Sequence, residues 1–153
     1  EGRFQYAADF QQGGFFEGAH DCQLSSQNHV STLLCFDNGL LSGVSRGVEF
    51  SLTDQMTIKD VLWSSQLGMH RDLRGRSPFT TIQGSIQKLD NGNYLVNYGT
   101  EGVIEEQTPD NEVVWQYGRE KINKASRAPW AFYRVNKYSL DYCPQLSALK
   151  KGH

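Results

Sequence analysis

The chain has 153 residues, a net charge of −2 and only three cysteines. That length is enough for one domain with a real core, and the nearly balanced charge gives no electrostatic case for nucleic acid, whose binders carry a basic face. Fifteen glycines, plentiful aromatics and few runs of Ala, Leu, Glu and Lys place the chain in the all-β class. No run approaches the roughly 20 apolar residues of a membrane helix. No signal peptide is visible, and the chain starts at Glu1 without a methionine, so a leader or a longer N-terminal portion is expected to have been removed.

Residues 1–17 are irregular and ring-rich, with Phe4, Tyr6, Phe10, Phe15 and Phe16 around Gly13-Gly14, and read as a connecting segment. Gly18 to Gly39 reads as a β-hairpin: a short strand after His20-Asp21, a polar Ser-Ser-Gln-Asn turn, and a second strand from Ser31 to Phe36 ending in Asp37-Asn38-Gly39. Cys22 and Cys35 face each other across this hairpin if its turn centres on Asn28-His29. A cross-strand disulfide is then open to them, but the reading preferred here is two buried free thiols.

The alternation of Val48, Phe50 and Leu52 with Glu49 and Ser51 predicts a half-buried strand over Ser45 to Thr53, and Thr57 to Ser64 predicts the next. Residues 66–82 are polar, with Gly, Pro and three arginines, and read as a surface loop. Its basic cluster, Arg71, Arg74 and Arg76 interrupted by Asp72, is taken as solvated. Ser85 to Leu89 and Tyr94 to Tyr98 flank Asn91-Gly92, a dipeptide suited to the positive φ of a type I′ turn. Gly102 to Gln107 and Glu112 to Tyr117 form another pair joined through Pro109. Ala131 to Val135 is expected to add one strand. Residues 141–153 are a C-terminal tail with a frayed basic end.

These strands recur. SRGVEFSLTDQMTIKDVLW is similar to TEGVIEEQTPDNEVVW, with Gly47-Val48-Glu49 aligned to Gly102-Val103-Ile104 and Val61-Leu62-Trp63 to Val113-Val114-Trp115. STLLCFDNG is similar to NYLVNYGTEG. The offsets, about 52 to 62 residues, approach the roughly 40–50 residues of a propeller blade plus a loop. The expected fold is therefore a set of β-propeller blades over residues 18–140, about two and a partial one, rather than a β-sandwich. A propeller needs at least about 4 blades to close, so the chain is expected to be part of something larger, completed by a longer chain or by other chains.

In order, the motifs are His20-Asp21, Phe36-Asp37-Asn38-Gly39, Ser45-Arg46-Gly47-Val48-Glu49-Phe50 and Thr57 to Trp63. They continue with Gly84-Ser85-Ile86-Gln87, Asn91-Gly92-Asn93 with Leu95-Val96, and Val113-Val114-Trp115-Gln116-Tyr117, closing on Tyr133-Arg134-Val135. This series resembles the C-terminal half of the arylsulfotransferase family, the sulfuryl-transfer propellers of the bacterial periplasm that use no PQQ and have eukaryotic relatives. The resemblance runs from Gly18 to Leu140. It implies a six-bladed ring with its active site at the central channel. It also implies transfer of a sulfuryl group from a phenolic sulfate ester to a phenol without a cofactor, through a covalent sulfohistidine at His20. Where the family usually has Gln before this His, this chain has Ala19. The family's remaining catalytic histidines and arginine lie N-terminal to the nucleophile, where this chain has almost nothing.

The chemistry suits these residues. Neutral imidazole is nucleophilic near pH 7 and an N-sulfated ring is a good sulfuryl donor, so one hard transfer becomes two easier ones. Arg46 and His70 are the candidates for binding the substrate anion. The plainer role for Arg46 is to brace a strand end against Asp37 or Glu49, and for His70, beside Arg71, to sit in solvent. Asp21 is expected to serve the backbone or solvent, since neighbouring strand residues point to opposite faces. His29 and His153 are read as solvated, Trp63, Trp115 and Trp130 as packing, and Asp37 and Asn38 as turn residues rather than calcium ligands. No metal or cofactor is expected. The partners are a phenolic sulfate ester and a phenol, together with further blades or subunits, in a secreted, periplasmic or organelle-luminal setting. A non-catalytic propeller segment serving a larger assembly and a carbohydrate-binding β-domain are the alternatives.

Overall fold

In a computed structural model of the protein, the described residues are 16–27, 30–65, 78–118, 131–139 and 142–143. They form two four-stranded antiparallel sheets. The first runs β1 (Ala19–Gln27), β2 (Val30–Asp37), β3 (Arg46–Leu52), β4 (Ile58–Ser64) in spatial order. The second runs β5 (Ser85–Lys88), β6 (Tyr94–Asn97), β7 (Ile104–Gln107), β8 (Val113–Tyr117). Apart from these strands the described residues hold one 3-10 turn, Gly99–Glu101. The all-β expectation holds, in the form of two consecutive up-and-down meanders.

Alternation along the strands decides which side chains meet. On the face of the first sheet turned to the second, Leu34, Phe36 and Trp63 join Ile86, Tyr94, Val96, Tyr98 and Val103 in one buried cluster. On its opposite face Leu33, Cys35, Val48, Phe50, Leu52 and Ile58 form a second cluster, with Phe16 and Met56 packed on it. β5 is the strand of the second sheet that lies against β1 and β2. The approach is close: a Cβ on Gly84 would lie 2.3 Å from the Phe36 ring, and its φ of +106° is one that few other residues adopt.

Polar groups also cross between the sheets. The Trp63 and Tyr94 rings stack with centroids 3.7 Å apart. The Tyr94 hydroxyl donates to Glu49 Oε2 at 2.6 Å, and Lys88 Nζ donates to the same carboxylate at 2.8 Å. Glu49 is thus a buried carboxylate supplied with both a cation and a hydroxyl, as a buried charge requires. Asn38 ties the linker between the sheets to the first one. Its Nδ2 donates to the carbonyls of Thr80 and Gln83 at 2.7 and 2.9 Å, and the Asn38 backbone carbonyl accepts from Ser45 Oγ.

Three readings change. First, Cys22 and Cys35 form a disulfide rather than two free thiols. An irregularity in β1 between His20 and Gln23 lets Cys22 reach the face that carries Cys35, which simple alternation does not disclose. Second, Ser25 to Gln27 continue β1 instead of turning. Third, residues 131–139 make no strand ladder. They run extended over the second sheet, tied by side chains: Asn97 Nδ2 to Phe132 O, Val135 N to Ser85 Oγ, and Gln87 to both the N–H and the carbonyl of Lys137. The proposed alignment also moves. Glu49 faces Trp63 across β3 and β4, and Glu106 faces Trp115 across β7 and β8, each with an irregularity directly after the Glu. Glu49 therefore corresponds to Glu106, not Ile104, although the Trp63–Trp115 match stands. A shift of two residues preserves strand alternation, so the apolar pattern alone does not detect it.

Candidate functional site

His20 lies near the start of β1, opposite Phe36 of β2. Gly18, at φ +101°, turns the chain into the strand, and the Gly18 carbonyl lies 3.2 Å from His20 Nδ1. A carbonyl can only accept, so in the neutral ring this contact places the proton on Nδ1 and the lone pair on Nε2.

The next residue makes the geometry. Asp21 has φ +50° and starts a bulge, so that β1 carries an extra residue before the ladder resumes at Gln23 opposite Leu34. Asp is among the few non-glycine residues that tolerate this conformation. Because both Phe36 and Leu34 belong to the inter-sheet cluster, His20 and Gln23 share the face turned to the second sheet. Asp21 reaches the same way. Its Oδ2 accepts the Ile86 N–H at 3.1 Å, and Gln23 Nε2 donates to the Ile86 carbonyl at 2.6 Å. Both outward backbone groups of an edge strand are satisfied by side chains of β1. Asp21 also pairs through Oδ1 with Arg134 at 2.8 Å, its own side chain being only 7% exposed while Arg134 is 51% exposed. The bulge thus aims His20, Asp21 and Gln23 together toward β5, and the Cys22–Cys35 disulfide fastens it from the other face.

The other sequence candidates are placed as follows. Arg46 Nε lies 3.3 Å from Asp37 Oδ2, bracing the end of β2 against the start of β3. Asp37 Oδ1 also accepts the N–H of Glu17 at 2.7 Å and that of Gly39, so Asp37 organises the turn after β2. His70, His29, His153, Trp130 and the Arg71, Arg74 and Arg76 cluster lie outside the described residues. Among the described residues no group of His, Cys, Asp and Glu is arranged to hold a metal ion.

Sequence reasoning missed the roles of Gln23 and Arg134. A strand glutamine that caps a neighbouring sheet has no sequence signature. Arg134 is separated from Asp21 by most of the chain, so nothing in local pattern links them.

Two buried carboxylates, Glu49 and Glu106, occupy corresponding positions in the two sheets. Hydrogen bonds from Lys137, Asn93 and Asn91 hold the Glu106 carboxyl down at about 2, against the upward push of burial. Burial, and then the hydrogen bond to Glu49, pushes the Tyr94 hydroxyl well above the usual tyrosine range, so it remains a donor at any ordinary pH.

A family model described as arylsulfotransferase (ASST) matches residues 2–120. The chain belongs to the arylsulfotransferase family. No curated protein matches it, and no solved structure does. The arylsulfotransferase match takes in His20, Asp21, Arg46 and both sheets. Arg134 and the extended segment over the second sheet lie beyond it. No helix among the described residues of this arylsulfotransferase-family chain is long and apolar enough to cross a membrane.

Proposed function

We propose that this chain carries the nucleophile of an aryl-sulfate sulfotransferase, with His20 as the residue that accepts the sulfuryl group. The observation that carries the proposal is the Nδ1–Gly18 hydrogen bond, which in the neutral ring puts the lone pair on Nε2, on a bulged strand of an arylsulfotransferase-family chain. Nε2 attacks the sulfur of a phenolic sulfate ester, the N–S bond forms, and the S–O(aryl) bond breaks with release of a phenolate. A second phenol then attacks the same sulfur, the N–S bond breaks, and the proton lost by that phenol balances the one taken up by the departing phenolate. No nucleotide or other cofactor takes part in this scheme.

The two meanders are read as adjacent blades of a propeller. Their shared strand order and their face-to-face core support this. Trp63 is 5% exposed beneath the second sheet whereas Trp115, its counterpart, is 49% exposed, which supports a further sheet beyond β8. Further blades, from a longer chain or other subunits, would supply the rest of the channel. The disulfide fits an oxidising, secreted, periplasmic or luminal compartment.

The test is transfer from a chromogenic aryl sulfate to a phenol by the full-length protein. His20→Ala is expected to abolish it, and the peptide containing His20 is expected to gain one sulfuryl group when the protein is quenched with donor alone. Transfer that survives His20→Ala would overturn the reading.

A further inference from the structure

Residues 134–137, Arg-Val-Asn-Lys, run against the second sheet much as residues 85–88, Ser-Ile-Gln-Lys, run against the first. Lys88 Nζ pairs with Glu49 and Lys137 Nζ pairs with Glu106, the two glutamates that correspond in register. The Ile86 N–H is received by a side chain of β1, Asp21, and the Val135 N–H by a side chain of β5, Ser85. Ser85 faces Asn97 as His20 faces Phe36. His20, Ser85 and Arg134 therefore occupy the same position on three successive segments. Their side chains differ in what they have left to offer. Ser85 is fully buried, with its Oγ engaged by Val135 and Asn97. Arg134 is half exposed and reaches back across β5 to Asp21, the chain neighbour of His20.

From this juxtaposition we propose that Arg134 binds the sulfuryl oxygens of the aryl sulfate at His20, with Asp21 fixing its orientation. The inference rests on the sulfuryl-transfer reading and adds the anion-binding group to it. One end of the guanidinium is anchored on a buried carboxylate, and the planar fork keeps further N–H donors for an oxyanion. The same Asp21 carboxylate is held by the Ile86 N–H, so the anchor is rigid on the sheet side. Attack on sulfur accumulates charge on the sulfuryl oxygens and the leaving phenolate, and a cation oriented before reaction stabilises that charge without reorganising.

The experiment measures the affinity of the full-length His20→Ala protein, which cannot turn over, for p-nitrophenyl sulfate and for p-nitrophenol. Adding Arg134→Ala or Arg134→Gln is expected to weaken sulfate-ester binding about ten- to a hundredfold and leave p-nitrophenol binding unchanged, with Arg134→Lys restoring part of the loss. Arg134→Gln keeps a donor for Asp21, so it separates loss of the cation from loss of the fold. Unchanged sulfate-ester affinity in both variants, equal loss for the uncharged phenol, or no binding by the protein with Arg134 intact would each overturn the proposal. Transfer that depends on His20 together with affinity indifferent to Arg134 sinks this inference and spares the sulfuryl-transfer reading. Arg134-dependent binding without any transfer does the reverse.

Discussion

Trp63 and Trp115 sit opposite corresponding glutamates in the two sheets, Glu49 and Glu106, yet only Trp63 is covered. Its ring lies flat on Tyr94 of the neighbouring sheet, while Trp115 has the Tyr117 ring beside it at 6.5 Å on an exposed face.

This difference predicts unequal costs. Trp63→Ala removes a buried ring at the junction of the sheets and is expected to destabilise the protein by about 3–5 kcal/mol. Trp115→Ala is expected to cost well under half of that. Denaturant unfolding of the two variants makes the comparison, and equal losses would count against the inter-sheet junction described above.

Gly84 gives a second test of that junction. An added methyl meets the Phe36 ring at 2.3 Å, and the backbone there has φ +106°. Gly84→Ala is therefore expected to destabilise by about 1–3 kcal/mol through overpacking, with backbone strain in addition. Relieving the clash with Phe36→Leu in the same chain should recover part of the loss in a double-mutant cycle.

Glu106 makes part of the stability acid-sensitive. Its folded carboxyl is held at about 2, below its ordinary value of 4.5. A carboxyl depressed by folding contributes stability that is complete above its unfolded pKa and is lost as pH falls through the folded one. Thermal unfolding followed from pH 6 down to about pH 2 should thus show a decline beginning near the ordinary carboxyl range. In Glu106→Gln the decline should be shallower, and Lys137→Met should flatten it in the same way by removing the main partner.

The Cys22–Cys35 disulfide closes a short loop, with a sequence separation of 13 residues. Loop-closure entropy sets its contribution at about 3 kcal/mol. Reduction, or the paired change to serine, is expected to lower stability by up to that amount, read from denaturant midpoints. If His20 depends on the bulge that the disulfide fastens, aryl-sulfate transfer should fall further than the folded fraction does. Activity that tracks the folded fraction alone would limit the disulfide to a stabilising role.

Local pattern was enough to place eight strands, although it ended the first one early and predicted a further strand over Ala131 to Val135 that does not form. Val48, Phe50 and Leu52 alternate with polar neighbours, Asn91-Gly92 marks its hairpin, and Trp63 and Trp115 stand at the ends of similar strings. The order of short motifs around His20 and Asp37-Asn38-Gly39 also led to the family, because motif order is a property of the chain rather than of its packing.

The site around His20 was only partly legible. The bulge at Asp21 inverts the alternation from which its side chain would be placed, and it brings Cys22 to Cys35. The register of β3 against β7 was displaced by two residues, since such a shift leaves every apolar residue on its own face. The union of Asp21, Gln23, Ile86 and Arg134 depends on which unsatisfied backbone groups of an edge strand a distant side chain meets. The all-β class, the course of eight strands, the family and His20 as the residue to examine are legible in the chain, because these follow from local periodicity and ordered motifs. The disulfide, the orientation of Asp21 and the place of Arg134 emerge only in the folded chain, because one inserted residue and one strand edge control them, and neither alters the local pattern.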